Sequence, residues 1–267
     1  MFDLVQSTFI DCFKALVLGF IQGITEFIPV SSSAHLKVVP ILLGWDDPGA
    51  SFSAALQLGS LIALIIYFYK DISLILRQFI YIIIPNSSIS KDHSNLGFNL
   101  IIGSLPITFV GIAIKYLFPN YSSSSLRGLF SIGIVSLLMA VVLYIADHYF
   151  THKKQFSSIR TPHAFFIGLA QVMAFLPGAS RSGVTISAAL SLGFDRKSAA
   201  RFSFLLGIPA VFLSGTSELH EIIINSSSYG LFSFFIGTIS ATISSLLAIR
   251  FLLKFLESNT NYVFIIF

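Results

Sequence analysis

The sequence predicts an all-α polytopic membrane protein, and three observations support that fold class. Of its 267 residues, 55% are hydrophobic and 10% are charged, whereas a soluble domain has about 25% charged residues. The mean hydropathy is +0.85. The apolar runs are continuous, unlike the short alternating segments of a transmembrane β-barrel. The net charge of +4 is then best explained by loops beside anionic membrane lipid, and no nucleic-acid partner is expected.

Several apolar runs are long enough to cross a bilayer, which takes about 20 residues. Two of them contain an internal proline, Pro106 or Pro209, which predicts a kink. Together with an apolar segment that begins at residue 261, these runs predict about six transmembrane helices. The predicted spans are 52–69, 97–118, 126–148, 195–217 and 230–256, with an amphipathic segment at 72–84 and loops at 85–96, 119–125, 149–162 and 218–229.

Two other apolar stretches are interrupted by a polar break. The first break begins at Pro29 and the second at Pro177, and serines follow each proline. Each apolar piece is too short to cross the membrane, so each stretch predicts a re-entrant helical hairpin that enters and leaves on the same side. The half-helices are predicted at 13–28 and 34–43, and at 163–176 and 184–193.

The two broken stretches also resemble each other. At an offset of 148 residues, Phe27-Ile28-Pro29 matches Phe175-Leu176-Pro177, and Ser32 matches Ser180. Chance could produce some of these matches, but they cluster around both breaks, which favours a duplication. We therefore predict a single transmembrane domain over 1–267, built from pseudo-repeats of about 1–118 and 126–267.

Loop charge predicts how the repeats are oriented. Most of the loop lysines and arginines lie in 70–96, 149–162 and 250–254, and the positive-inside rule assigns these segments to the cytoplasm. The first hairpin then enters from outside and the second from inside. This is an inverted repeat whose two breaks meet near the midplane, an arrangement typical of intramembrane polar sites.

Glu26 and Arg181 are the charges that lie deepest in the broken stretches. A charge at the centre of a membrane helix costs about 2.5–3.5 kcal/mol, so it usually faces a partner or a cavity. One interpretation is a structural ion pair that locks the hairpins together. The other is an anion site, because helix N-termini, hydroxyls and arginine together bind phosphate. The hydroxyl side chains predicted to bind the anion are Ser31, Ser32, Ser33, Ser180, Ser182 and Thr185.

Glu26 has two possible chemical roles beside such a site. It is a candidate ligand for Mg²⁺ or Ca²⁺, with Gln22 on the same helix face, and it is also a candidate general base. Ser32 and His35 are three residues apart on the next half-helix, a spacing that permits an imidazole to activate a hydroxyl. We therefore predict that both of these residues are functional.

At these positions the sequence resembles the undecaprenyl-diphosphate phosphatases, the bacitracin-resistance family. The resemblance rests on four motifs and extends over nearly the whole chain. The motifs are Gln22–His35 (QGITEFIPVSSSAH), Gln57-Leu58-Gly59-Ser60, Pro177–Ser187 (PGASRSGVTIS) and Phe202–Pro209 (FSFLLGIP).

The resemblance implies a hydrolase that needs a divalent cation and converts undecaprenyl diphosphate to undecaprenyl phosphate at the outer face of the bacterial inner membrane. This reaction recycles the lipid carrier of peptidoglycan synthesis. By motif position, Glu26 would belong to the family's glutamate box, Ser32 would be the nucleophile and His35 its activator. Arg181, with Ser180 and Thr185, would clamp the diphosphate. Gln22 stands where many members have a first glutamate, ahead of the one at Glu26, and this difference puts the metal ligand set in question.

Several alternatives stay open at this point. His35 is an alternative nucleophile to Ser32. A lipid-phosphate transporter or flippase is the alternative to a phosphatase, since broken helices in inverted repeats are common in transporters. The expected substrate is a polyprenyl diphosphate lipid in the membrane, and a homodimer is one possible assembly.

Overall fold

The computed structural model of the protein describes residues 2–47, 49–83, 94–118, 121, 124–225 and 231–266. The structured elements of these residues are helices, and the only strand-like feature among them is an isolated bridge between Lys154 and Phe194. The helices are α1 (Phe2–Phe27), α2 (Ser32–Leu42), α3 (Gly49–Tyr67), α4 (Tyr69–Ile83), α5 (Ser94–Leu117), α6 (Leu129–Tyr149), α7 (Thr161–Gln171), α8 (Arg181–Ser191), α9 (Arg196–Asn225), α10 (Leu231–Phe255) and α11 (Tyr262–Ile266).

Five of the described helices are long and apolar enough to cross a membrane. A sixth span results if α3 and α4 are counted together, although they meet at a bend of 74°. The five segments are Thr8–Phe27, Leu96–Leu117, Leu129–Tyr149, Arg196–Thr216 and Phe232–Phe255. The all-α polytopic fold predicted from composition is therefore confirmed.

Two helices are longer than the sequence predicted. Helix α1 begins at Phe2 instead of residue 13, so the first broken stretch contains a helix long enough to cross, and the predicted start of its half-helix is wrong. Helix α9 continues to Asn225 through the predicted loop at 218–229. Residues 217–225 contain neither glycine nor proline, so nothing in the backbone stops the helix before its end. Parts of the predicted loops, at 85–93, 119–120, 122–123 and 226–229, lie outside the described residues.

The half-helices α2 and α8 have the same length and the same caps. Each has 11 residues, and each begins after a serine, Ser31 or Ser180, whose side chain accepts a hydrogen bond from the backbone N–H three residues later. Just past the end of each helix is a glycine with positive φ, at 67° in Gly44 and 90° in Gly193. These pairs are 149 residues apart, so Ser31 and not Ser32 stands at the position of Ser180. The duplication itself stays a prediction.

Two glycine contacts pack the helices of the broken stretches against their neighbours. Gly19 in α1 lies against Gly237 in α10, and Gly168 in α7 lies against Gly103 in α5, so closely that a Cβ atom would overlap the facing backbone. Small residues allow this approach between membrane helices, where dispersion and close packing replace the hydrophobic effect. The broken ends of α1 and α7 are therefore held by direct backbone contact.

Candidate active site

The site is centred on the carboxylate of Glu26, at the last turn of α1. One oxygen, Oε1, accepts a hydrogen bond from Arg181 Nη2 at 3.2 Å. The other oxygen, Oε2, accepts from Gln22 Nε2 at 2.9 Å and from Ser32 Oγ at 3.0 Å. Glu26 and Gln22 are both buried, at 7% and 0% exposure. The break at Pro29 turns the chain back, so that α2 begins beside the carboxylate that ends α1.

Arg181 is the first residue of α8 and reaches across to the other hairpin. Its side chain is 10% exposed, and its Nη1 atom donates to the backbone carbonyl oxygen of Ser203 in α9 at 3.2 Å. The guanidinium also lies close to Gly207, where a Cβ atom would be 2.5 Å from Cζ. Within the described residues, Nε of Arg181 is buried without a hydrogen-bond partner. The ion pair with Glu26, one of the two interpretations of the sequence, is therefore present, and it leaves one buried N–H donor of the arginine unused.

The hydroxyls of the second hairpin join the two breaks. Ser182 Oγ donates to the carbonyl oxygens of Glu26 and Ile28, at 3.1 and 3.2 Å. Ser180 Oγ caps α8 through Gly183 N–H and lies 3.1 Å from Ser182 Oγ. Because Ser182 is fully buried, its contacts fix the backbone of the first break against the N-terminus of α8.

Thr185 lies one turn further along α8 and faces α9. Its hydroxyl donates to the carbonyl oxygen of Arg181 at 2.9 Å and is 2.6 Å from Ser203 Oγ. Thr185 and Ser203 are both fully buried. Thr185 therefore supports the backbone of Arg181, and the hydroxyl it was predicted to offer a phosphate is already hydrogen-bonded within the protein.

Ser32 and His35, which the sequence predicts to be functional, each contact another group of the first break. Ser32 donates to Glu26, and His35 Nδ1 lies 2.7 Å from the carbonyl oxygen of Ser31. The reversal at Pro29 brings a strong acceptor, the Glu26 carboxylate, to the serine. Ser32 and His35 are both half-buried, so a ligand can approach either.

Ser31 and Ser33 complete the first break. Their hydroxyl oxygens are 3.1 Å apart, and Ser31 Oγ also accepts from Ala34 N–H as the cap of α2. Ser31 is buried at 6% exposure and Ser33 is exposed. The pair repeats the geometry of Ser180 and Ser182 in the other break. The two breaks differ in exposure, because Ser33 is exposed whereas Ser180 and Ser182 are both buried.

The donor set around Glu26 determines what cation it fits. Among the described residues, there is no group of three or more His, Cys, Asp or Glu side chains that could hold a metal ion. Gln22 Oε1 is nevertheless buried without a partner in the described part of the chain, beside the Glu26 carboxylate. One carboxylate and one amide oxygen suit Mg²⁺ or Ca²⁺ only when substrate phosphate and water supply the other ligands. The residues fit a cation shared with a substrate, and they do not form a closed metal cage.

Sequence reasoning missed Ser203 and Gly207, which hold the Arg181 side chain. Both lie in the motif Phe202–Pro209, which was noted only for its resemblance. A serine and a glycine four residues apart on one face of α9 were the available signal, because they allow a second helix to approach closely.

A second fully buried glutamine, Gln171 in α7, also has no partner for either amide atom within the described residues.

Comparison with known proteins identifies the family. The family model described as bacitracin resistance protein BacA matches residues 15–267 of the chain. The chain belongs to this family. An undecaprenyl-diphosphatase of Prochlorococcus marinus (strain NATL2A) is 47% identical over 263 residues, which are 98% of this chain and 94% of that protein. An undecaprenyl-diphosphatase of Synechococcus elongatus is 42% identical over 261 residues, which are 97% of this chain and 90% of that protein.

These matches confirm the resemblance inferred from the four sequence motifs. They cover the chain almost from end to end, so both hairpins and the helices between them belong to the family. The motif that contains Glu26 and the motif that contains Arg181 therefore lie within one continuous match to the family.

Proposed function

We propose that the chain is a membrane phosphatase that hydrolyses undecaprenyl diphosphate to undecaprenyl phosphate and inorganic phosphate. One observation carries the proposal: Ser32 and Arg181, from opposite hairpins, donate hydrogen bonds to the same buried carboxylate. A nucleophilic hydroxyl, a proton acceptor and an arginine fork are the groups that phosphoryl transfer requires. The family match and the relatives named undecaprenyl-diphosphatase give the substrate class.

In the proposed first step, Ser32 Oγ attacks the terminal phosphorus. The Oγ–P bond forms, the anhydride P–O bond breaks, and undecaprenyl phosphate leaves. The serine proton passes to Glu26 Oε2, which already lies 3.0 Å from the hydroxyl. Arg181 stabilises the charge that develops on the phosphoryl oxygens. His35 as the nucleophile is the alternative, with the same leaving group.

In the second step, water attacks phosphorus and displaces the serine. Glu26 returns its proton to Ser32 Oγ, both protons of the water stay with the phosphate, and inorganic phosphate leaves as dihydrogen phosphate. A divalent cation such as Mg²⁺ or Ca²⁺, held by Glu26 and Gln22 together with the diphosphate, would neutralise the phosphate charge. Positioning and electrostatics supply most of the catalysis in such a reaction.

We also propose that the site opens to the periplasmic side of the bacterial inner membrane. Loop charge supports this orientation, because the basic segment at 149–162 is expected in the cytoplasm. The reaction would recycle the carrier lipid for cell-wall synthesis and confer bacitracin resistance. A homodimer stays an open prediction. No observation on the described residues favours the lipid transporter over the phosphatase.

The test is phosphate release from undecaprenyl diphosphate by the purified protein in detergent, where there is no membrane to cross. Release is expected in the presence of Mg²⁺ or Ca²⁺ and should disappear in the Arg181→Ala variant. A folded wild-type protein that releases no phosphate with either cation would refute the phosphatase proposal.

A further inference from the structure

The Glu26 carboxylate bridges the two groups that the proposed reaction directs at a phosphate. Its Oε1 atom accepts from Arg181 and its Oε2 atom accepts from Ser32, at 3.2 and 3.0 Å. An anion that is to bind Nη2 of the guanidinium beside Ser32 must therefore displace Oε1 of this carboxylate. Carboxylates and phosphates bind the arginine fork in the same way, so the two compete for it.

From this competition, and resting on the proposed function, we infer that Glu26 occupies the anion position of Arg181 between turnovers and that the diphosphate displaces it. The ion pair keeps both buried charges compensated when no substrate is bound, since its side chains are 6% and 10% exposed. A diphosphate carries more charge than a carboxylate and takes over the guanidinium. Glu26 then remains with Gln22 and Ser32, free to accept the serine proton or to bind a cation.

The contacts of Arg181 with α9 hold the guanidinium in place while its anionic partner changes from Glu26 to a phosphate. The hydrogen bond from Nη1 to the Ser203 carbonyl oxygen and the close contact with Gly207 do not involve Glu26. The guanidinium therefore stays in place when the carboxylate leaves. Its buried Nε–H, which has no partner among the described residues, offers a second donor to the incoming phosphate.

A purely structural ion pair would behave differently. If Glu26 and Arg181 only lock the hairpins together, removal of the carboxylate charge should loosen the site and weaken anion binding. If Glu26 competes with the anion, the same change should strengthen anion binding. The sign of the change in affinity therefore separates the two roles, and it does not depend on turnover.

The experiment is a calorimetric titration of the full-length protein in detergent with inorganic pyrophosphate, with chelator present so that no cation contributes. We expect Glu26→Gln to bind pyrophosphate at least about tenfold more tightly than the wild type, because the buried guanidinium has lost its internal anion. Arg181→Ala should abolish pyrophosphate binding, both alone and in combination with Glu26→Gln. The retention of helicity and elution volume establishes that each variant is folded.

Another pair, between the buried carboxylate of Asp147 and the partly exposed Arg196, provides a control. Asp147 accepts from Arg196 Nε at 2.7 Å and has a fully buried side chain, outside the site of Glu26 and Arg181. Asp147→Asn should leave the pyrophosphate affinity at the wild-type value. Glu26→Asp, whose shorter side chain weakens the contact with Arg181, should give an affinity between those of the wild type and Glu26→Gln, and it replaces Glu26→Gln if that variant does not fold.

An unchanged or weaker affinity in Glu26→Gln, or in Glu26→Asp where it is the variant that folds, would overturn the inference. That result would leave the phosphatase proposal intact if the wild type still releases phosphate from undecaprenyl diphosphate. The opposite combination is also informative. If the wild type hydrolyses no lipid diphosphate but Glu26→Gln binds pyrophosphate more tightly, the phosphatase proposal is refuted. The inference that Glu26 competes with an anion for Arg181 then still holds.

Discussion

The contact between Gly168 in α7 and Gly103 in α5 gives a prediction for Gly168→Ala. A Cβ atom on residue 168 would lie 2.6 Å from the Gly103 carbonyl carbon and 2.7 Å from its Cα. Carbon atoms prefer separations of about 3.5–4.0 Å, so the two helices must move apart by about 1 Å. Both partners are backbone, so no rotamer change can relieve the overlap. Overpacking of this kind costs about 1–3 kcal/mol.

The displacement should also reach the site. Helix α7 leads through the break at Pro177 directly into Arg181, so a shift of α7 moves the guanidinium relative to Glu26. A misplacement of about 1 Å in a catalytic group can lower the rate by about 10²-fold. We expect Gly168→Ala to lower the unfolding temperature and to reduce kcat by about 10- to 100-fold, with protein still extracted from the membrane fraction.

The assay is thermal unfolding in detergent together with phosphate release from undecaprenyl diphosphate. Gly133→Ala in α6 is the matched control, because Gly133 is exposed and a Cβ atom there has no neighbour within 4 Å. That variant should match the wild type in both measurements. Wild-type stability and turnover in Gly168→Ala would refute the claim that α5 and α7 touch through their backbones.

Three further variants and one trapping experiment test the site and its surroundings. Ser32→Ala should lower turnover by about 10³-fold or more, and full turnover would exclude Ser32 as the nucleophile. An acid-stable phosphoenzyme after a quench is expected for Ser32, whereas an acid-labile one would point to His35. Arg181→Lys should lower kcat by about 10²–10³-fold, because an ammonium cannot form the bidentate fork. Asp147→Ala, which removes a buried carboxylate that accepts hydrogen bonds from Arg196 and Asn261, should destabilise the protein by about 1–3 kcal/mol in denaturant unfolding.

The sequence was most informative about the breaks. Proline and serine inside apolar stretches predicted both interruptions, because a bilayer penalises unpaired backbone groups and hydroxyls in lipid. The same reasoning gave a Glu26–Arg181 ion pair as one of two interpretations, since each charge needs a partner or a cavity. Their hydrogen bond joins residues 155 positions apart, and no local pattern specifies which oxygen or nitrogen meets which.

The sequence was less informative where tertiary contacts decide the outcome. Helical spacing permits His35 to activate Ser32, but it does not reveal that the chain reversal at Pro29 brings the Glu26 carboxylate to the serine. Hydropathy also misjudged α1 and α9, because polar residues such as Asp11 and Glu218 lower the apolar score without stopping a helix. The support of Arg181 by Ser203 depends on how α8 packs on α9, which composition does not reveal.

The separation of Glu26 and Arg181 in the chain has a consequence for biosynthesis. At about 5–20 residues per second, a ribosome needs about 8–30 s to add the 155 residues between them. During that interval α1 has already emerged with a carboxylate whose counter-charge does not yet exist. A nascent chain stalled before α8 should therefore insert its first helix poorly, and co-expression of the missing second half should restore stable insertion.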